Sequence, residues 1–135
     1  MEHTLRNMQH HAPAAGQPRS VSPLAHLTGE LTRAGGLGTA RLRELPFLSH
    51  VELRLDRGEL DEVLGRRAGE FLGCRLPPRG VVHGDGCPYV LWRGPGWYLV
   101  VDEPGTAAGL EAGLRQALGG DFGEVFGSVA DISAQ

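Results

Sequence analysis

The 135-residue sequence is short of cysteine, short of aromatic residues and without a dominant charge sign. Two cysteines, Cys74 and Cys87, are too few for a disulfide-stapled scaffold. The first twenty residues hold one arginine near the front and no apolar run of the secretory kind, so the thiols are expected to be reduced, in a cytoplasm. A formal net charge of -3 gives no electrostatic reason for nucleic acid or an anionic membrane as a partner. No apolar run is long enough to encode a membrane-spanning helix. What is present is an ordinary globular composition, 41% hydrophobic and 21% charged, of a size that suits one domain with one moderate core. The 21 glycines and nine prolines fall mostly in connections and in the N-terminal segment.

Residues 1–20 are rich in His, Pro, Ala and Gln and lack hydrophobic periodicity, which predicts a disordered tail. Leu24, Leu27 and Leu31 share a face of a short helix predicted over residues 23–34, and residues 34–38 (AGGLG) break it. Thr39 to Pro46 is expected to be an extended edge limited by the proline. Val51, Leu53 and Leu55 alternate with Glu52, Arg54 and Asp56, the pattern of a strand with one wet face. Leu60, Val63, Leu64, Ala68, Phe71 and Leu72 fall at helical spacing, and Gly73 supplies the stop. A loop with Pro77-Pro78 and Gly84-Asp85-Gly86 leads to Tyr89–Val101, where two aromatic, β-branched runs flank Gly94-Pro95-Gly96 as a hairpin. Leu110, Leu114 and Leu118 mark a second helix ended by Gly119-Gly120, and Val125 to Ser133 reads as a last strand. The order strand, helix, strand, strand, helix, strand predicts an α+β fold of the split βαβ kind, with both helices on one sheet face.

No residue set makes a persuasive catalytic or metal centre. His3, His10 and His11 lie in the tail, and His26, His50 and His83 lack the close pairing of zinc motifs. His50 falls on the polar side of its strand and suits a surface or interface role. Cys74 follows a helix C-terminus, where the dipole opposes a thiolate, and Cys87 shares a loop with His83 but has no orienting third group. The glycine-rich segments lack dinucleotide-binding spacing and read as turns. Asp131, on an apolar strand, is expected to bond to backbone or an arginine. Trp92, Trp97 and Tyr98 stand as a ligand platform, a partner-binding surface or packing beneath a loop. Because side chains alternate along a strand, one of Trp97 and Tyr98 must leave the main core. Trp92, Trp97, Tyr98 and His50 are therefore the candidate partner interface.

Four segments, in order, carry a family resemblance: Ser22-Pro23-Leu24-Ala25-His26-Leu27, Arg43-Glu44-Leu45-Pro46-Phe47, Leu91-Trp92-Arg93-Gly94-Pro95 with Tyr98-Leu99-Val100-Val101, and Asp131-Ile132-Ser133-Ala134. Together they resemble the gamma subunit of heterotetrameric sarcosine oxidase, over roughly Ser20 to Gln135. Relatives have an acidic pair where this chain has Gly96-Trp97, and they continue past Asp-Leu-Ser-Ala with Arg-Thr and a second half of comparable length. The chain thus resembles the front half or two-thirds of a gamma subunit, with residues 21–135 as its gamma-like domain. The resemblance implies a ferredoxin-like βαββαβ half of an aminomethyltransferase folate-binding-like fold. It implies a non-catalytic role in assembling a cytoplasmic complex with alpha, beta and delta subunits. That complex would oxidise sarcosine to glycine, hydrogen peroxide and a folate-bound one-carbon unit. Its FAD, FMN, NAD and tetrahydrofolate are expected on other subunits, with none bound by this chain. The rival expectations are a free-standing folate- or small-ligand-binding domain and a truncated remnant that never assembles.

Overall fold

The computed structural model describes residues 20–34, 38, 42–55, 61–86, 88–119 and 127–133. The expected tail therefore lies almost wholly outside the described residues, as do Cys87, Val125 and Phe126. After a short 3-10 turn at Ala25–Leu27, the elements are α1 (Thr28–Ala34), β1 (Ser49–Leu55), α2 (Asp61–Leu72), β2 (Val82–His83), β3 (Tyr89–Gly94), β4 (Trp97–Asp102), α3 (Ala107–Ala117) and β5 (Gly127–Asp131). The strands form one five-stranded antiparallel sheet in the order β2-β3-β4-β1-β5. The architecture is α+β, mixing helices with an antiparallel sheet.

The alternation of β1 sets the two faces of this sheet. Val51, Leu53 and Leu55 are buried and point to the helix layer, while His50, Glu52 and Arg54 point the other way. Directly across, Leu53 stands between Tyr98 of β4 and Val129 of β5, and Val51 stands beside Val100. Leu64, Ala68 and Leu72 of α2 and Leu110 and Leu114 of α3 close over them, with Leu118 beyond, as one apolar cluster. Burial of a leucine of this kind stabilises by roughly 1.5–3 kcal/mol, so this cluster supplies most of the favourable free energy.

Helix ends are closed by the residues the periodicity pointed to. At the end of α2, Gly73 turns left-handed (φ +71), and the Cys74 N–H donates to the Gly69 carbonyl at 3.1 Å, a Schellman closure. The chain then doubles back along the helix, where a side chain at Gly69 would meet the Cys74 carbonyl at 3.0 Å. Gly119 ends α3 likewise, with φ +108 and its N–H on the Gln116 carbonyl.

The N-terminus of α3 is held from far away. No side chain of its own segment caps it; instead Ser49, at the start of β1 and 1% exposed, accepts from the Thr106 and Ala107 N–H groups at 2.9 and 3.1 Å. Ser49→Ala strands both donors in the interior and is expected to lower stability by about 1–3 kcal/mol. Urea unfolding measures this, and a loss below about 0.5 kcal/mol would show the cap to be dispensable.

Three expectations are corrected. Leu42–Leu45 carry no strand, and the segment turns at Pro46-Phe47, where Phe47 is left-handed (φ +60) and Pro46 has no N–H to donate. Phe71 is 42% exposed and is no part of the buried cluster; its ring lies across Gly113 of α3. The loop before the hairpin contains β2, whose two residues pair with Leu91 and Val90 and are too few to show alternation. The helix over residues 23–34 is present as the 3-10 turn plus α1, but buries none of its residues.

Candidate functional site

Away from the helices, the sheet presents a second face. Cross-strand register arranges it in rows: Tyr89, Val101 and His50; then Val82, Leu91, Leu99, Glu52 and Ala130; then Trp97, Arg54 and Ser128. Val101 is buried yet lies outside the main apolar cluster, as its place on this second face requires. Val82 is 53% exposed, and Ile132, just past β5, is 51% exposed.

The last row holds the most organised group of polar side chains on the sheet. Pro95 and Gly96 (φ +67) form the tight turn of the β3–β4 hairpin, and the Gly96 carbonyl accepts from the Leu55 N–H of β1 at 2.8 Å. The ladder slips between Trp92 and Gly94, so Arg93 has no cross-strand partner. Its guanidinium reaches the Trp97 ring, 5.1 Å from the centroid. Arg54, directly opposite Trp97, lies 4.5 Å from the same centroid. Glu52 ties the group together: its Oε1 accepts from Arg54 Nε and its Oε2 from Trp97 Nε1, both at 2.8 Å. Each cation–ring contact contributes about 0.5–1 kcal/mol at a half-exposed site, so together they fix the indole more than they stabilise the fold.

This geometry holds the Glu52 carboxyl below its ordinary range, chiefly through the Arg54 hydrogen bond, against partial burial and with help from the Trp97 N–H and the charges of Arg54 and Arg93. The group is therefore intact above the ordinary glutamate value of 4.5 and comes apart as pH falls through the lowered folded value. Acid titration of tryptophan fluorescence is expected to show a step below pH 4.5 that Glu52→Gln abolishes. A step that persists in that variant would assign the change to another group.

The candidate interface residues divide between the two faces. Trp97 and His50 lie on the open face. Trp92 and Tyr98 stand opposite each other across the hairpin on the helix side, where Tyr98 packs against the core. Of the pair Trp97 and Tyr98, it is Trp97 that leaves the core. Glu52, Arg54 and Arg93, which complete the group around Trp97, escaped the sequence reading. For Glu52 and Arg54 the only signal was the polar phase of β1, because nothing in the sequence says that β1 lies beside β4.

The remaining candidates have structural partners. Asp131 Oδ1 accepts from the Ser133 N–H at 2.9 Å, and Ser133 Oγ accepts from the His50 N–H at 2.9 Å, so Asp131-Ile132-Ser133 clips the end of β5 to β1. Hydrogen bonding from Ser133, its side chain first and its N–H second, holds the Asp131 carboxyl below its usual value. His83 Nδ1 lies 2.9 Å from the Arg75 carbonyl. Burial pushes the Cys74 thiol up, away from a reactive thiolate. Ser22 Oγ donates to Glu44, joining the first two of the four recognised segments. Among the described residues no three His, Cys, Asp or Glu side chains converge as metal ligands, and no helix is long and apolar enough to cross a membrane.

Comparison with known proteins shows what the chain is similar to. No family model matches the chain. The sarcosine oxidase subunit gamma of Corynebacterium sp. strain P-1 is 36% identical over 118 residues, 84% of this chain and 52% of that protein. The Arthrobacter sp. subunit gamma is 34% identical over 116 residues, with the same coverage of 84% and 52%. A chain of the heterotetrameric sarcosine oxidase from Corynebacterium sp. U-96, solved in complex with pyrrole 2-carboxylate, superposes with a TM-score of 0.64 at 32% identity, covering 85% of this chain and 56% of that one.

Over 84% of its length the chain is similar to sarcosine oxidase gamma subunits. It spans about half the length of the curated relatives it matches. In this chain the group around Trp97 sits on the hairpin that carries the third recognised segment, and the clip from Asp131 to His50 is built by the fourth. Neither arrangement positions a nucleophile or an acid–base pair; the first offers recognition and the second holds an edge strand in place.

Proposed function

We propose that this chain is a non-catalytic gamma-type subunit that supports assembly of a heterotetrameric sarcosine oxidase, together with alpha, beta and delta subunits, in the cytoplasm. The observation that carries this reading is the agreement in sequence with a gamma subunit, 36% identity over 84% of the chain, beside the agreement in fold with a chain of a heterotetrameric sarcosine oxidase, a TM-score of 0.64 over 85% of the chain. The complex would oxidise sarcosine to glycine and hydrogen peroxide and pass the one-carbon unit to tetrahydrofolate. FAD, FMN and NAD, like the folate, would be held by the other subunits. The fold is read here as a ferredoxin-like half of a folate-binding-like domain. Supporting that is the order β3-β4-β1-β5, with α2 following β1 and α3 following β4.

Co-expression with the other three subunits tests the proposal. The tagged chain is expected to retain them through size-exclusion chromatography, with the flavin colour and sarcosine oxidation following the complex. The chain purified alone is expected to be colourless and inactive. A stoichiometric yellow cofactor on the isolated chain, or a complex that forms identically without it, would overturn the reading.

A further inference from the structure

We propose that the open face of the sheet is the surface through which this chain docks, and that its partner is a protein patch with an apolar centre and a carboxylate set against Arg54 and Arg93. This deepens the proposed assembly role and rests on it. Each side of that match has a basis in the structure. The apolar part runs across the strands as Val82, Leu91, Leu99 and Ala130, with Tyr89 and the half-exposed Ile132 beside it. Neither α2 nor α3 covers it, because both pack on the opposite face through the Leu53 cluster. An aromatic, an arginine pair and aliphatic neighbours on an uncovered sheet face are the composition of an interface centre.

Charge names the partner. Two guanidiniums bracket Trp97, and a single carboxylate answers them; both oxygens of Glu52 are already taken, by Arg54 Nε and Trp97 Nε1. Arg93 makes no ion pair with another described residue, and its contact is the ring of Trp97. Bringing this face out of water therefore leaves one positive charge uncompensated, which a partner Asp or Glu would neutralise through a paired guanidinium–carboxylate contact. A second copy of the chain is the poorer occupant. Face to face, two copies would enclose four of these guanidiniums against two carboxylates, doubling the surplus. The shape also disfavours a small molecule, since the groove beside Trp97, lined by Leu55, Pro95, Gly96 and Gly127, is open to solvent.

Binding of the chain to the co-expressed alpha, beta and delta subunits, measured by light scattering and by titration at two salt concentrations, tests this. Arg93→Glu is the chosen variant, because Arg93 is exposed, sits on the bulge and makes no side-chain hydrogen bond to another described residue. It is expected to weaken assembly about ten-fold or more and to flatten its salt dependence, with only the small loss of urea stability that the lost Trp97 ring contact brings. Arg54→Gln should act in the same direction. Arg66→Glu, the same charge change on the exposed side of α2, should leave assembly as it was. Three results overturn the inference: equal assembly by Arg93→Glu and the unaltered chain, loss of assembly with Arg66→Glu instead, or a homodimer of the isolated chain that Arg93→Glu dissociates. Failure of the unaltered chain to bind any subunit overturns the proposed function itself, and is told apart because it needs no variant.

Discussion

Leu53→Ala is expected to cost the fold about 3–5 kcal/mol, the upper part of the range for leucine truncations in a core. Leu53 is fully buried in β1, a strand paired on both sides, with Tyr98 across from it on β4 and Val129 on β5. The helix layer closes over it, so the surroundings cannot collapse into the space that three lost carbons would leave. Domains of this size have about 5–15 kcal/mol to lose, which makes this substitution the difference between a folded and a marginal protein. A urea titration reads the effect as a lower midpoint with an unchanged slope. A loss below about 1.5 kcal/mol would mean that the cluster around Leu53 is looser than its burial indicates.

Gly84→Ala is expected to cost about 2–4 kcal/mol, through backbone strain and a collision together. Gly84 has φ +115, a region that residues with a side chain rarely enter, and a methyl group there would stand 2.8 Å from the Pro88 carbonyl oxygen and 2.9 Å from the Tyr89 Cα. Those are backbone atoms at the start of β3, so relief requires shifting the strand that pairs with β2 through His83 and Val90. Gly86→Ala separates the two causes. Its φ of +134 is equally foreign to alanine, but the space around it is open, so it should show the strain of about 1–3 kcal/mol without the collision. Equal losses in the two variants would show that the close approach at Gly84 costs nothing.

Much of the fold was legible in the sequence because its elements obey simple periods. The strand of Val51, Leu53 and Leu55, the helix ending at Gly73 and the leucines of α3 each carry their own signal, and all three are where the periodicity puts them. Phe71 shares the helical spacing of its buried neighbours yet sits at the border with α3, half in water, because spacing fixes a direction around the helix but not how far the neighbouring layer extends. β2 escaped because a two-residue strand exists only through its partner β3.

The site divides along the same line. From the sequence came the hairpin, the turn at Pro95-Gly96 and the requirement that one large aromatic residue leave the core, since side-chain alternation in a strand is a local property. The four ordered segments likewise carried the resemblance to gamma subunits without any knowledge of contacts. Tertiary structure alone decided that Trp97, not Tyr98, faces outward, and that Glu52 and Arg54 stand beside it from far back along the chain, as the 2.8 Å bond across a separation of 45 positions records. It also decided that Ser49 caps a helix 58 positions later. Such contacts follow from which strands are neighbours, and that choice is made by the packing of the whole sheet against its two helices, a sum over many residues that no local stretch of sequence contains.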